Sequence, residues 1–110
     1  MDLTPTQVQI LERLLESGFR PIAIPLYENA LCVHRGECAA LLGPVGNNGL
    51  RLLAPATLMI EGNLGVRLKK RAGDVFVWKK TEIPATEQRL HDLEEFSNDL
   101  ESLLEPTGHV

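Results

Sequence analysis

The chain holds 110 residues, 44% of them apolar, 24% charged and 5% aromatic, which is the size and mix of a single domain, 1–110, with no room for a second core. Such a chain buries roughly two thirds of the surface its unfolded form exposes, so it needs neither disulfides nor a metal to fold. Eleven Lys and Arg against fifteen Asp and Glu leave a net charge of −4, which argues against a dedicated polyanion binder.

In chain order, Met1-Asp2-Leu3 carries an acid where an export signal would carry Lys or Arg, and no apolar run follows, so a cytoplasmic protein is expected. Thr4-Pro5 with Gln7 has the form of a capping box with Pro at the first helical position, and Leu3 and Val8 fall where a hydrophobic staple would sit. Val8, Leu11, Leu14 and Leu15 recur at helical spacing up to Ser17-Gly18, which predicts a helix over 5–17. At the other end Leu90, Leu93, Phe96, Leu100, Leu103 and Leu104 draw one stripe between Pro84 and Pro106, which predicts a long amphipathic helix over 85–104.

Between the helices, Pro and Gly separate runs too short for helices. Gly36-Glu37 suits a two-residue turn pairing Arg35 with Cys38, and Gly62-Asn63 suits another pairing Glu61 with Leu64. Arg71-Ala72-Gly73 suits a three-residue loop that sets Lys70 opposite Asp74, and Glu28-Asn29 is a further turn candidate. The longest apolar stretch, 52–60, is broken by Pro55 and Thr57 and falls far short of the ~20 residues that span a bilayer. The expected fold is α+β, an antiparallel meander sheet of five to six strands flanked by the N-terminal helix and the long C-terminal one.

Side chains alternate between sheet faces, so these registers sort them. Ile22, Ile24, Leu26, Leu31, Val33, Cys38, Ala40 and Leu42 share one face in the first half, and Met59, Leu64, Val66, Leu68, Phe76 and Trp78 share one in the second; both are expected in the core. The reverse of the first half, with Ala23, Pro25, Tyr27, Ala30, Cys32, His34, Ala39 and Leu41, is too apolar for a face left in water. The reverse of the second half mixes Leu58, Ile60, Val75 and Val77 with Arg67, Lys69 and Lys79. Either the long helix crosses over to cover this side, or a homodimer or partner protein buries it; the second reading is preferred, with Tyr27, Cys32, His34, Leu41, Val75 and Val77 as its surface.

Other constellations invite chemistry. Cys32, His34 and Cys38 are possible zinc ligands, but the Gly36-Glu37 turn points Cys38 away from the other two, and buried reduced thiols are expected instead. Cys32 and His34, roughly 6.5–7 Å apart along one strand face, are too distant for a tight nucleophile–base pair, so no catalytic residues and no cofactor are expected. A small-ligand or metal site at Cys32 and His34 remains the alternative.

Gly43-Pro44-Val45-Gly46-Asn47-Asn48-Gly49 spaces its glycines like a phosphate loop but leads into a strand instead of a helix, and reads as a mobile connection between two halves of the sheet. Residues 67–80 carry six cations, Arg67, Lys69, Lys70, Arg71, Lys79 and Lys80, against Asp74 alone. A weak nucleic-acid binder is a further alternative there, disfavoured because the register turns Phe76 and Trp78 inward. Eight acids against Arg89 over 82–110 offer that hairpin a protein counterpart, within the chain or across a dimer.

The outline of small size, acidic balance, N-terminal helix, meandering sheet with an apolar reverse face and amphipathic C-terminal helix resembles the dimeric secretion chaperones. That resemblance implies a dimer.

Overall fold

The computed structural model describes residues 3–24, 27 and 30–104. Helix α1 (Pro5–Glu16) starts where its capping residues place it: Thr4 Oγ1 accepts from the Gln7 N–H (3.2 Å) while the Thr4 N–H donates to Gln7 Oε1 (3.0 Å). Ser17 caps its end. Gly18 at φ 90° then lets the Phe19 N–H return to the Leu14 carbonyl (3.0 Å) and its own N–H to that of Leu15 (3.2 Å).

Six antiparallel strands follow: β1 (Arg20–Ile22), β2 (Leu31–Arg35), β3 (Cys38–Val45), β4 (Gly49–Leu52), β5 (Thr57–Ile60) and β6 (Asn63–Leu64). They form one sheet in the order β1-β2-β3-β5-β6, with β4 pairing the far half of the long strand β3. A second sheet of three strands, β7 (Val66–Lys70), β8 (Gly73–Trp78) and β9 (Thr81–Pro84), lies next along the chain. Helix α2 (Glu87–Leu104) opens at Thr86, whose hydroxyl accepts from the Arg89 N–H (3.3 Å). The α+β class, the antiparallel sheet and both flanking helices stand as expected; the three-stranded sheet is additional.

Both helices pack on the same side. Ile10 and Leu14 of α1 and Leu93, Phe96, Leu100 and Leu104 of α2 join Val33, Cys38, Ala40, Leu42, Leu50, Leu58 and Ile60 of the large sheet and Phe76 of the small one in a single core. Phe19 meets Phe96 edge to face at 5.2 Å, and the Arg35 guanidinium lies 4.5 Å above Phe19 while pairing with Asp99 at 2.8 Å, tying the β2–β3 end to α2.

The buried stripe of α1 is rotated from the expected one, with Gln7, Ile10 and Leu14 inward and Val8 and Leu15 exposed. The reason is Gln7, 2% exposed, whose Nε2 donates to the carbonyls of Gly46 (3.3 Å) and Gly49 (3.0 Å) while Thr4 Oγ1 donates to that of Asn47. The glycine-rich run 43–49 is therefore no mobile connection. It is the β3–β4 hairpin, with Val45 opposite Gly49, clamped to the start of α1.

Strand registers depart from expectation in a patterned way. Arg35 pairs with Cys38 as predicted. The next hairpin turns one residue early, at Glu61-Gly62 with φ 52° and 77°, so Ile60 faces Asn63 and Met59 faces Leu64. Lys70 faces Gly73 and Lys69 faces Asp74, a two-residue turn in place of the expected three-residue loop. That odd shift moves Arg67 and Lys69 to the side of Phe76 and Trp78 and sends Val66 and Leu68 to the side of Val75 and Val77.

The β1 register, Ile22 opposite Cys32, likewise puts Ile22 on the reverse face and not in the core, with Ile24 packed in the reverse-face cluster. Leu26 and the Glu28-Asn29 turn lie outside the described residues. Leu58 and Ile60, expected on the reverse, belong to the core, whereas Met59 and Leu64 take the reverse.

Candidate interaction surface

Alternation along the strands builds the helix-free side. On the large sheet it gathers Ile24, Cys32 and Ala39, with Ile22, Leu41, Met59 and Leu64 packed around them, and no helix residue belongs to this cluster. On the small sheet it presents Val66, Leu68, Val75 and Val77 in two directly opposed pairs, Val66 with Val77 and Leu68 with Val75. Val66 is 57% exposed and Leu68 44%. Lys70 and Glu82 share this side and pair at 2.6 Å.

The six residues expected to form the surface divide among three places. Cys32 and Leu41 oppose each other across β2 and β3, Cys32 at 2% exposure and Leu41 half-buried. His34 lies two residues along on the same face, half-buried, its Nδ1 enclosed and without a hydrogen-bond partner among the described residues. Val75 and Val77 are half-buried on the small sheet. Tyr27 sits apart in the β1–β2 connection, exposed, its N–H donating to the Ile24 carbonyl (2.9 Å).

Sequence reasoning missed the most exposed members, Val66 and Leu68, because it set them beside Phe76. The signal that would have found them is the choice between a two- and a three-residue turn at 71–73.

The cysteines do not present a reactive pair. Cys32 points to the helix-free side and Cys38 to the core, since Cys38 is level with Arg35 and Cys32 with Leu41. Burial pushes both thiols up to about 11, and for Cys38 the nearby Asp92 and Glu37 add to the rise while Arg35 opposes it. At neutral pH both are protonated, which does not suit a thiolate nucleophile. Among the described residues no three His, Cys, Asp or Glu gather in a metal-binding group.

Two clefts flank α2. One of about 680 Å³ runs between residues 52–56 and the helix, with Arg67 facing Glu94 and Glu101; the other, of about 390 Å³, holds Arg35, Glu37, Arg89 and Asp92 beside Cys38. In the second both cations are paired within the chain, Arg35 with Asp99 and Arg89 with Glu37 at 3.8 Å.

Three of the basic hairpin's six cations are spent locally. Arg67 binds Asp74 at 2.8 Å, Lys70 binds Glu82, and Lys79 lies 5.7 Å above Trp78. None forms an ion pair with α2 among the described residues. Phe76, fully buried, offers no platform for stacking a base.

Among the described residues no helix is long and apolar enough to cross a membrane. No protein-family model, curated protein or solved structure matches the chain.

Proposed function

We propose that this protein is a non-catalytic interaction module of the cytoplasm that works by burying its helix-free side against a protein surface. One observation carries the reading: α1 and α2 both cover the same side of the sheets, and the helix-free side, beyond its own packed cluster, leaves Val66 and Leu68 open. The protonated, buried thiols on opposite sides of the sheet favour a structural use of both cysteines in a reducing compartment over chemistry or a disulfide. The outline shared with the dimeric secretion chaperones points the same way.

Carbene footprinting tests this reading. In an extract of the cells that make the protein, segments 57–68 and 75–77 are expected to label less than in purified, highly diluted protein, while the exposed face of α2 labels equally in both. Equal labelling of the helix-free side in the two samples would overturn the proposal.

A further inference from the structure

We infer that the surface buried against the helix-free side is a second copy of this chain, stacked face to face on the three-stranded sheet about a two-fold axis; this rests on the reading just given.

Val66, Leu68, Val75 and Val77 form a four-residue apolar block in which cross-strand neighbours stand ~4.5–5.5 Å apart. The two residues contributed by β7 are the most open part of it. Four side chains are too few for the ~800 Å² that each partner buries in a standard interface. The block does not end there. Leu64, which packs with Met59 on the large sheet, is followed across Gly65 by Val66 and Leu68, so the apolar side chains of the two sheets adjoin along the chain.

Charge selects the occupant. Among its strand residues the small sheet's outer face carries one cation and one anion, Lys70 on β7 and Glu82 on β9, which lie on either side of β8 and satisfy each other at 2.6 Å. A face of zero net charge has nothing to attract a polyanion or a polycation, but it complements itself. A two-fold axis between the stacked faces can lay Lys70 of each copy over Glu82 of the other, so that both charges stay paired when water is excluded.

The same symmetry argues against joining the sheets by their edges. Strand β7 is an edge, and any antiparallel pairing of two β7 strands would set the row of Arg67 and Lys69 against its own copy. Stacking by the face avoids that repulsion. It also leaves the two cations on the opposite side, where Arg67 is already held by Asp74.

Sedimentation equilibrium over a wide protein concentration range decides the matter. The wild type is expected to dimerise, and Leu68→Asp to weaken the dimer at least about 100-fold by burying an unpaired charge, with an unchanged urea midpoint at concentrations where both proteins are monomeric, because Leu68 is an exposed side chain in the monomer.

Lys70→Glu and Glu82→Lys should each dimerise poorly alone and combine preferentially with one another when mixed, an outcome that a purely intramolecular ion pair would not produce. A dimer indifferent to Leu68→Asp and to both charge reversals would overturn this inference and leave the broader reading intact. A wild type that is monomeric at every concentration, with its helix-free side still protected in extract, would overturn self-association alone. A monomer with no protection would overturn both.

Discussion

The two sides of the large sheet are built from the same alternating strands and have opposite fates. Under the helices lie all the largest fully buried side chains, Phe19, Phe76, Phe96, Ile10, Leu14, Leu42, Leu58 and Leu100. On the other side the fully enclosed residues are few and mostly small, Cys32 and Ala39 with Ile24, and they pack among Ile22, Leu41, Met59 and Leu64. Burial by a helix requires large side chains to fill the space between layers, whereas burial within a sheet requires only that neighbours be close. The comparison teaches that an apolar face can hide part of itself and still leave a rim of Met59, Leu64, Val66 and Leu68 for something else.

If the helix side is the true core, the largest effect belongs there. Phe96→Ala removes the edge-to-face partner of Phe19 and one of the rings beside Arg35, and is expected to cost about 3–5 kcal/mol by urea unfolding. The matched change on the other side, Val66→Ala, is expected to stay within about 0.5 kcal/mol in the monomer. Equal losses would erase the distinction between the two sides.

A smaller effect is expected at the clamp. Gln7→Ala breaks the bonds to Gly46 and Gly49 and leaves the Thr4 N–H without its acceptor, at about 1–3 kcal/mol, with faster amide exchange in the 46–49 turn as the specific signature. Slow exchange there in the variant would mean that the hairpin holds itself.

The finest probe compares the two thiols, one on each side. Both are raised when folded, from 9.0 to about 11, so the folded state retains protons that the unfolded chain releases. The stability they contribute is complete below pH 9 and is lost as pH rises from there through about 11. The wild type should lose more stability across that window than Cys32→Ala/Cys38→Ala. Burial is the cause for Cys32, whereas carboxylates add to it for Cys38, so added salt should lower the titration of Cys38 and leave Cys32 in place. Identical salt responses would contradict the difference in surroundings.

Much of this was legible in the residues, and the failures share one cause. Capping by Thr4 and Gln7, the stop at Gly18, the α2 stripe and the Arg35–Cys38 pairing all depend on groups within a few positions of one another. At Glu61-Gly62 the turn slipped by one residue, which moves the pairing by two and keeps Met59 and Leu64 together on one face, but that face is the helix-free one and Leu58 and Ile60 take the core. At 71–73 and in the β1–β2 connection the pairing moved by an odd number, and each face reversed. Those reversals relocated Val66, Leu68, Ile22 and Ile24, so the residues put Cys32, His34, Leu41, Val75 and Val77 on the helix-free side but set its most open members, Val66 and Leu68, in the core.

From the sequence alone came the ends of the helices, the existence of the hairpins and the presence of more apolar strand surface than two helices cover, because caps, turns and alternation act over a few residues of chain. Only the tertiary structure decided that both helices share one side, that Gln7 is spent on a loop some forty positions away, and that the chain divides its strands between two sheets at Gly65. Those choices are made by packing between segments far apart in the chain, where a residue's partner depends on which layer closes over it and not on its neighbours in sequence.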